Sequence, residues 1–369
     1  MIYLDHGATS FPKPEPVCRA VEHAMRSCAN PGRGGYGAAM KAAREVYRCR
    51  ALAGELFDCM PEQVAFTSNC THGLNIAIRT LVKPGKSVVI SGFEHNAVTR
   101  PLHGLGAKVV VAGRKLFDWD NILTEFEKAL DTGADAAVFT HVSNVFGYIL
   151  PVEEMARMCR ERGIPFAVDA AQSAGSIPLS LKALGADFIA MPGHKGLLGP
   201  QGTGILLCGK LPEPLLMGGT GSESIRQDMP EELPERLEAG TGNVPGIAGL
   251  GAGLAYLKKV GTQNIGKREQ AAAKRCAQGL QEQGFRVFFG PHQAGTVSFV
   301  PETDCENAAQ MLAGQGIAVR AGLHCAPLAH ESAGTVKTGT VRVSFGHQAN
   351  RKEVDALLRG SAKLNVREF

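Results

Sequence analysis

The sequence predicts an α/β protein with two domains: a large one on a mostly parallel seven-stranded sheet, then a smaller α+β one. Three observations carry this reading. Seven short apolar runs lie between residues 64 and 207, with helical stretches between several of them. The chain has 45 glycines, and they fall between those runs, where turns belong. Near Gly240 the alternation stops, and two long helical stretches and then short strand-like pieces take over.

In order, the strands are expected at Val64–Thr67, Ser87–Ile90, Lys108–Val111, Ala136–Thr140, Phe166–Val168, Phe188–Ala190 and Ile205–Leu207. Each is short and apolar, as buried strands are. Helices are expected over Leu123–Leu130 and over Glu153–Arg162, the latter between Pro151 and Gly163. Strands alternating with helices indicate a parallel sheet covered on both faces, with ligands outside the carboxyl ends of its strands. Beyond Gly240, helices over Ile247–Leu257 and Gln263–Gln283 lead into strands at Arg286–Phe289, Thr296–Phe299 and Val341–Phe345. Further helices are expected around Ala308–Gly314 and Lys352–Leu358. The domains are accordingly expected at 12–246 and 247–369, joined by an N-terminal segment, 1–11.

Composition bounds the function. Of the 369 residues, 44% are hydrophobic and 20% charged, which describes a globular chain. Lys+Arg 39 against Asp+Glu 35 leaves a net charge of +4, too small for a nucleic-acid footprint. No apolar run approaches the roughly 20 residues of a membrane span. The start, Met1-Ile2-Tyr3-Leu4-Asp5, lacks the basic and long apolar regions of a signal peptide, so the expected compartment is the cytoplasm. The 10 cysteines are scattered without a Cys-x-x-Cys pair, which favours free thiols over disulfides or a zinc ribbon. One of them is a candidate nucleophile.

Two clusters carry chemistry. In Val168-Asp169-Ala170-Ala171-Gln172-Ser173 a carboxylate ends an apolar strand. In Pro192-Gly193-His194-Lys195-Gly196 a lysine follows the next strand amid glycines that admit a bulky ligand. Taken singly, Asp169 reads as a helix N-cap and Lys195 as a solvated loop lysine. Together they match what pyridoxal phosphate needs: an amine for its aldehyde and an acid for its ring nitrogen. Phe66-Thr67-Ser68-Asn69-Cys70-Thr71-His72-Gly73 runs from strand into helix, the place for a phosphate; its plainer reading is a capping sequence. A GxxxxGK[ST] nucleotide loop is absent.

These motifs, with Tyr3-Leu4-Asp5-His6-Gly7-Ala8-Thr9-Ser10, resemble the class V aminotransferase superfamily over essentially the whole chain. Within it the chain looks like the cysteine desulfurases and selenocysteine lyases, of type II-like form. The resemblance implies the fold type I architecture of pyridoxal-phosphate-dependent transferases. It implies that Lys195 carries the cofactor, that Asp169 pairs with the pyridine nitrogen, and that Gln172 bonds the ring hydroxyl. His194, Thr71 and Cys70 fall at the phosphate site and His95 on the ring, where it also serves in proton transfer. Asn144 falls near the ring and the substrate carboxylate, with Ala8 beside it. Thr241, in Glu238-Ala239-Gly240-Thr241-Gly242-Asn243, matches the position that completes the partner subunit's phosphate site, so a homodimer with shared sites is implied.

The phrase Val319-Arg320-Ala321-Gly322-Leu323-His324-Cys325-Ala326-Pro327 separates the subclasses. An ordinary transaminase needs no thiol there, whereas a desulfurase uses it to accept sulfur. Glycine and proline on either side favour a loop, and His324 is a candidate for lowering the Cys325 pKa. A small buried cysteine is the plainer reading. Arg342, in Gly339-Thr340-Val341-Arg342-Val343-Ser344-Phe345, suits bidentate capture of an amino-acid carboxylate, and Arg320 is a second candidate. No metal site is expected. The implied reaction converts L-cysteine to L-alanine and leaves a persulfide on Cys325 for an acceptor protein. The alternatives are a selenocysteine lyase acting on L-selenocysteine, another class V enzyme, and a non-catalytic scaffold. Pro192 departs from the pattern, since relatives carry a serine or threonine hydroxyl there.

Overall fold

The computed structural model describes residues 1–32, 34–221 and 224–365. After a two-residue strand at Ile2–Tyr3 (β1) come seven strands: Val64–Thr67 (β2), Ser87–Ser91 (β3), Lys108–Ala112 (β4), Ala136–Thr140 (β5), Phe166–Asp169 (β6), Phe188–Pro192 (β7) and Gly204–Cys208 (β8). They form one sheet in the order β2-β8-β7-β6-β5-β3-β4. Strands β3 to β7 pair in parallel, and β8 runs antiparallel between β2 and β7.

Burial on both faces explains why these strands read as unbroken apolar runs. Successive side chains point to opposite sides. Val89, Phe139, Val168 and Ile189 enter one core, covered by helices Trp119–Asp131, Val152–Glu161 and Val244–Val260. Val88, Val138, Ala167 and Ala190 enter the other, under helices Cys70–Leu81 and Asn96–Gly104. Strand β4 departs from the expectation of burial. It forms the sheet edge, and Lys108 and Val109 face solvent.

Five further strands follow: Arg286–Phe288 (β9), Thr296–Val300 (β10), Ile317–Ala318 (β11), Arg320–Gly322 (β12) and Thr340–Ser344 (β13). Four make a second, antiparallel sheet, β12-β13-β10-β9. Its apolar face (Val297, Phe299, Val341, Val343) packs on helices Thr262–Glu282 and Arg351–Ser361. Strand β1 pairs in parallel with β11, and Asp5 bridges to Ser344. The chain start is thereby stitched onto the second sheet.

The boundary expected at 246/247 falls inside the helix Val244–Val260. That helix packs on Glu15–Ser27 and Gly37–Phe57, two helices that lay outside the sequence expectations. Among the described residues no helix is long and apolar enough to cross a membrane.

Candidate active site

The chemical residues collect where strands β3, β5, β6 and β7 end, as the parallel topology dictates. A cavity of about 300 Å³ opens there. Every candidate residue named above lines it except Thr241, including Ala8 from the N-terminal segment. Thr241 is exposed, in the segment before helix Val244–Val260.

Asp169 is the last residue of β6 and is buried. Its Oδ1 accepts from the Ala171 amide at 2.9 Å and from Cys70 Sγ at 3.6 Å. Oδ2 has no hydrogen-bond partner among the described residues. Cys70 therefore braces the acid, and burial against that carboxylate pushes its thiol well above the usual range. Lys195 follows β7 by three residues. Burial and the Arg342 charge lower its amine pKa, against the opposing pull of Asp169. Its loop is wedged tightly, for a Cβ on Gly196 would lie 2.1 Å from the Ala174 carbonyl oxygen.

Helix Cys70–Leu81 aims its N-terminus at the cavity. Asn69 caps it by accepting from the His72 amide at 2.9 Å, while the amides of Cys70 and Thr71 stay unpaired among the described residues. This is the arrangement that binds anions. His194 has a buried, unpartnered Nδ1, and burial together with Lys195 lowers it to about 4. Gln172 donates to the Gly7 carbonyl at 3.0 Å. His95 caps helix Asn96–Gly104 by accepting from the Ala97 amide at Nδ1, so its neutral ring carries the proton on Nε2. Burial lowers its pKa, against the pull of Asp169.

The second sheet supplies the other wall. Cys325 is exposed, and both it and His324 have positive φ, 56° and 49°. Two consecutive non-glycine residues in this region cost strain and persist only when their surroundings fix them. Here Asn144 Nδ2 donates to the His324 carbonyl at 2.7 Å, and the Asn96 amide donates to the Cys325 carbonyl at 2.8 Å. The thiol is thus tied to the helix that begins beside His95.

His324 does not supply the cation expected beside this thiol. Its Nε2 sits 3.2 Å from the Thr340 carbonyl and hydroxyl, and burial near Arg342 lowers it to about 2, so the ring is neutral. The positive neighbour is Arg320, whose charge interacts with Cys325.

Arg342 stands on β13 and is buried. It is already engaged: Nη2 donates to Asp5 Oδ1 at 2.9 Å and Nη1 to the Asn144 carbonyl at 3.0 Å, while Nε is unpartnered. Arg320 grips the same carboxylate, with Nη2 2.8 Å from Asp5 Oδ2. A Cβ on Gly7 would lie 3.2 Å from the Arg342 guanidinium carbon, so the glycine lets the backbone lie close to it. Sequence reasoning passed over Asp5 and Gly7 as single residues. Their only signal was membership of the Tyr3–Ser10 motif.

The profile of the family described as aminotransferase class-V matches residues 2–357. The chain belongs to this family. A probable cysteine desulfurase of Pyrococcus abyssi is 36% identical over 97% of this chain and 92% of its own length. A cysteine desulfurase of Haloferax volcanii is 30% identical over 97% of this chain and 88% of its own. Among solved structures, the apo cysteine desulfurase of Thermococcus onnurineus superposes with a TM-score of 0.91 at 33% identity, covering 98% of this chain and 94% of that one. The S-sulfonic acid form of a cysteine desulfurase from Escherichia coli gives 0.85 at 27% identity, with the same coverage. The fold type I architecture, with its large sheet and added smaller one, is the one expected from the sequence.

Proposed function

We propose that the protein is a pyridoxal-phosphate-dependent cysteine desulfurase, with Cys325 as its sulfur acceptor. One observation carries this reading: an exposed thiol, on a turn whose backbone carbonyls at His324 and Cys325 are each held by a hydrogen bond, faces the same cavity as Lys195 and Asp169. The cavity residues fit the cofactor. Lys195 offers an amine of lowered pKa, Asp169 a carboxylate oxygen without a partner, and the helix at Cys70 its unpaired amides. When bound, the cofactor supplies an electron sink for charge developing at the substrate Cα.

The side chains then divide the work. Arg342, flanked by the unpartnered Asn144 Oδ1, receives the carboxylate of L-cysteine. Lys195 Nζ takes the Cα proton. Asp169 keeps the pyridine nitrogen protonated. Cys325 Sγ attacks the substrate sulfur: the Sγ–S bond forms, the Cβ–S bond breaks with its electron pair left on carbon, and Cβ takes a proton. Lys195 returns a proton to Cα, alanine leaves, and the persulfide waits on an exposed loop for an acceptor protein. His95 Nε2–H is placed to move a proton at the substrate amine or sulfur. Thr241, exposed and outside its own cavity, serves the site of a partner copy in a homodimer. Ten unpaired cysteines support a reducing compartment, the cytoplasm.

The test is to supply the holoenzyme with L-cysteine and, separately, L-selenocysteine, and to measure alanine with sulfide or selenide under reducing conditions. Alanine with sulfide is expected. Alanine from selenocysteine alone assigns a selenocysteine lyase, and alanine from neither overturns the reading.

A further inference from the structure

Lys195 faces two cavities. Besides the one it shares with Cys325, a second of about 50 Å³ lies against its other side. Gly7, Val142, Ala171, Gln172 and Lys195 form the wall between them. The far walls carry His6, Ser176, Glu269 and His347, from four separate parts of the chain. Nothing in the reaction proposed above uses these groups.

The second cavity is polar and incompletely satisfied. His347 is 4% exposed, and neither of its ring nitrogens has a partner. Nδ1 of His6 is likewise buried and unpartnered. Buried polar atoms without protein partners are ordinarily satisfied by water. A water needs about 10–15 Å³ of such space, so the volume holds about three to five. The two rings are braced rather than loose. His347 packs edge-on against Tyr256 at 5.6 Å, and His6 against Tyr3 at 5.0 Å.

The geometry points to a hydrated proton relay behind Lys195, running from its Nζ through the unpaired ring nitrogens of His347 to Glu269 and solvent. A proton leaving Lys195 Nζ passes over a cavity water to one ring nitrogen of His347. The ring releases another from its opposite nitrogen, by way of water, to one oxygen of the Glu269 carboxyl, which gives up the proton on its other oxygen to solvent. The imidazole ends neutral in its other tautomer, and no charge is left behind. Glu269 is partly exposed on helix Thr262–Glu282 and opens the route outward.

The surrounding groups are consistent with such traffic. Lys13 faces both histidines, and Asp5 faces His6. Lys13 is held by Ser10 Oγ and the His194 carbonyl, each at 2.7 Å. Burial lowers His6 and His347 to about 4 and Lys13 to about 8, and raises Glu269 to about 8. Both rings are therefore neutral at physiological pH, able to accept at one nitrogen and donate from the other. With substrate filling the front of the site, the rear cavity is the route by which the lysine proton exchanges.

The inference rests on Lys195 taking the Cα proton, and the experiment separates the two. The holoenzyme turns over L-cysteine deuterated at Cα in ordinary water, and the label left in the alanine is measured. The wild type is expected to lose most of the label. His347→Phe, which fills the cavity with an apolar ring, and Glu269→Gln, which keeps shape but carries no proton, are expected to retain several-fold more. A crystal structure provides a readout without turnover: ordered water on the His347 ring nitrogens and beside Lys195 is expected. Label loss unchanged in both variants, full retention in the wild type, or a dry cavity overturns the relay. If wild-type protein makes no alanine from cysteine, the functional reading has failed, and the crystallographic waters alone decide the relay.

Discussion

Arg342 donates to Asp5 at 2.9 Å in an ion pair whose partners lie 337 residues apart. Arg320 binds the other oxygen of the same carboxylate. Two guanidinium groups share one internal acid, so one positive charge is left over beside the cavity. That excess matches a single substrate carboxylate, and the acid fixes the plane in which Arg342 presents its remaining donors. Asp5→Asn should therefore loosen Arg342 without removing it. Losing a charge-assisted bond of about 1.5–3 kcal/mol predicts a KM for cysteine raised about tenfold or more, with a smaller change in kcat. Steady-state kinetics check this, and an unchanged KM excludes Asp5 as a positioning residue.

Cys325→Ala should end alanine production from cysteine while leaving the cofactor's absorbance intact, because among the described residues no hydrogen bond of Asp169 involves the Cys325 thiol. Retained turnover of cysteine by this variant excludes Cys325 as the sulfur acceptor.

Gly196→Ala tests the wedge that sets Lys195. The added methyl meets the Ala174 carbonyl oxygen at 2.1 Å, and the adjoining backbone at Gly175 has φ of +99° and no room to yield. Overpacking of this kind costs about 1–3 kcal/mol. A lowered denaturation midpoint is expected together with weaker cofactor retention, since Lys195 is the neighbouring residue. A variant with wild-type values for both shows that the loop adapts.

Glu94 gives a pH-dependent prediction. It is fully buried, accepts from the Thr140 amide at 2.9 Å, and leaves Oε2 without a partner. Burial raises its carboxyl from 4.5 to about 8. A group raised in the folded state contributes its full stability below the unfolded value, and loses it as pH climbs through the folded one. Wild-type protein should thus lose stability between about pH 5 and about pH 8 through this group, by at most about 1.4 kcal/mol per unit. Glu94→Gln removes that loss, so the variant should gain on the wild type as pH rises. Denaturation midpoints across this window measure the difference, and a constant gap refutes it.

The sequence made Asp169 and Lys195 legible because each follows an apolar run that only a buried strand explains, and parallel strands bring such ends to one edge. Thr71 and Asn144 were readable through motif order. The clasp on Arg342 was not, since nothing local couples Asp5 to a strand near the other end of the chain. The strained pair His324 and Cys325 was equally hidden, because neither residue type announces a positive φ. The role expected of His324 failed for a related reason: adjacency along the chain does not say which way a ring turns, and this one turns inward to Thr340. The small-residue helix Val244–Val260 ran past the expected boundary, because its glycines and alanines mask where one packing partner yields to the next.

The pairing of Ile2 with Ile317, and of Asp5 with Ser344, has a consequence for biosynthesis. The strand at Ile2–Tyr3 and the bridge at Asp5 have no partners until the chain has been made as far as Ile317 and Ser344. Asp169 and Lys195 are made more than 100 residues before Cys325 and Arg342. An unfinished product therefore carries the reactive amine without the thiol or the arginine. Only a chain that extends past Arg342 can bring all four groups into one cavity.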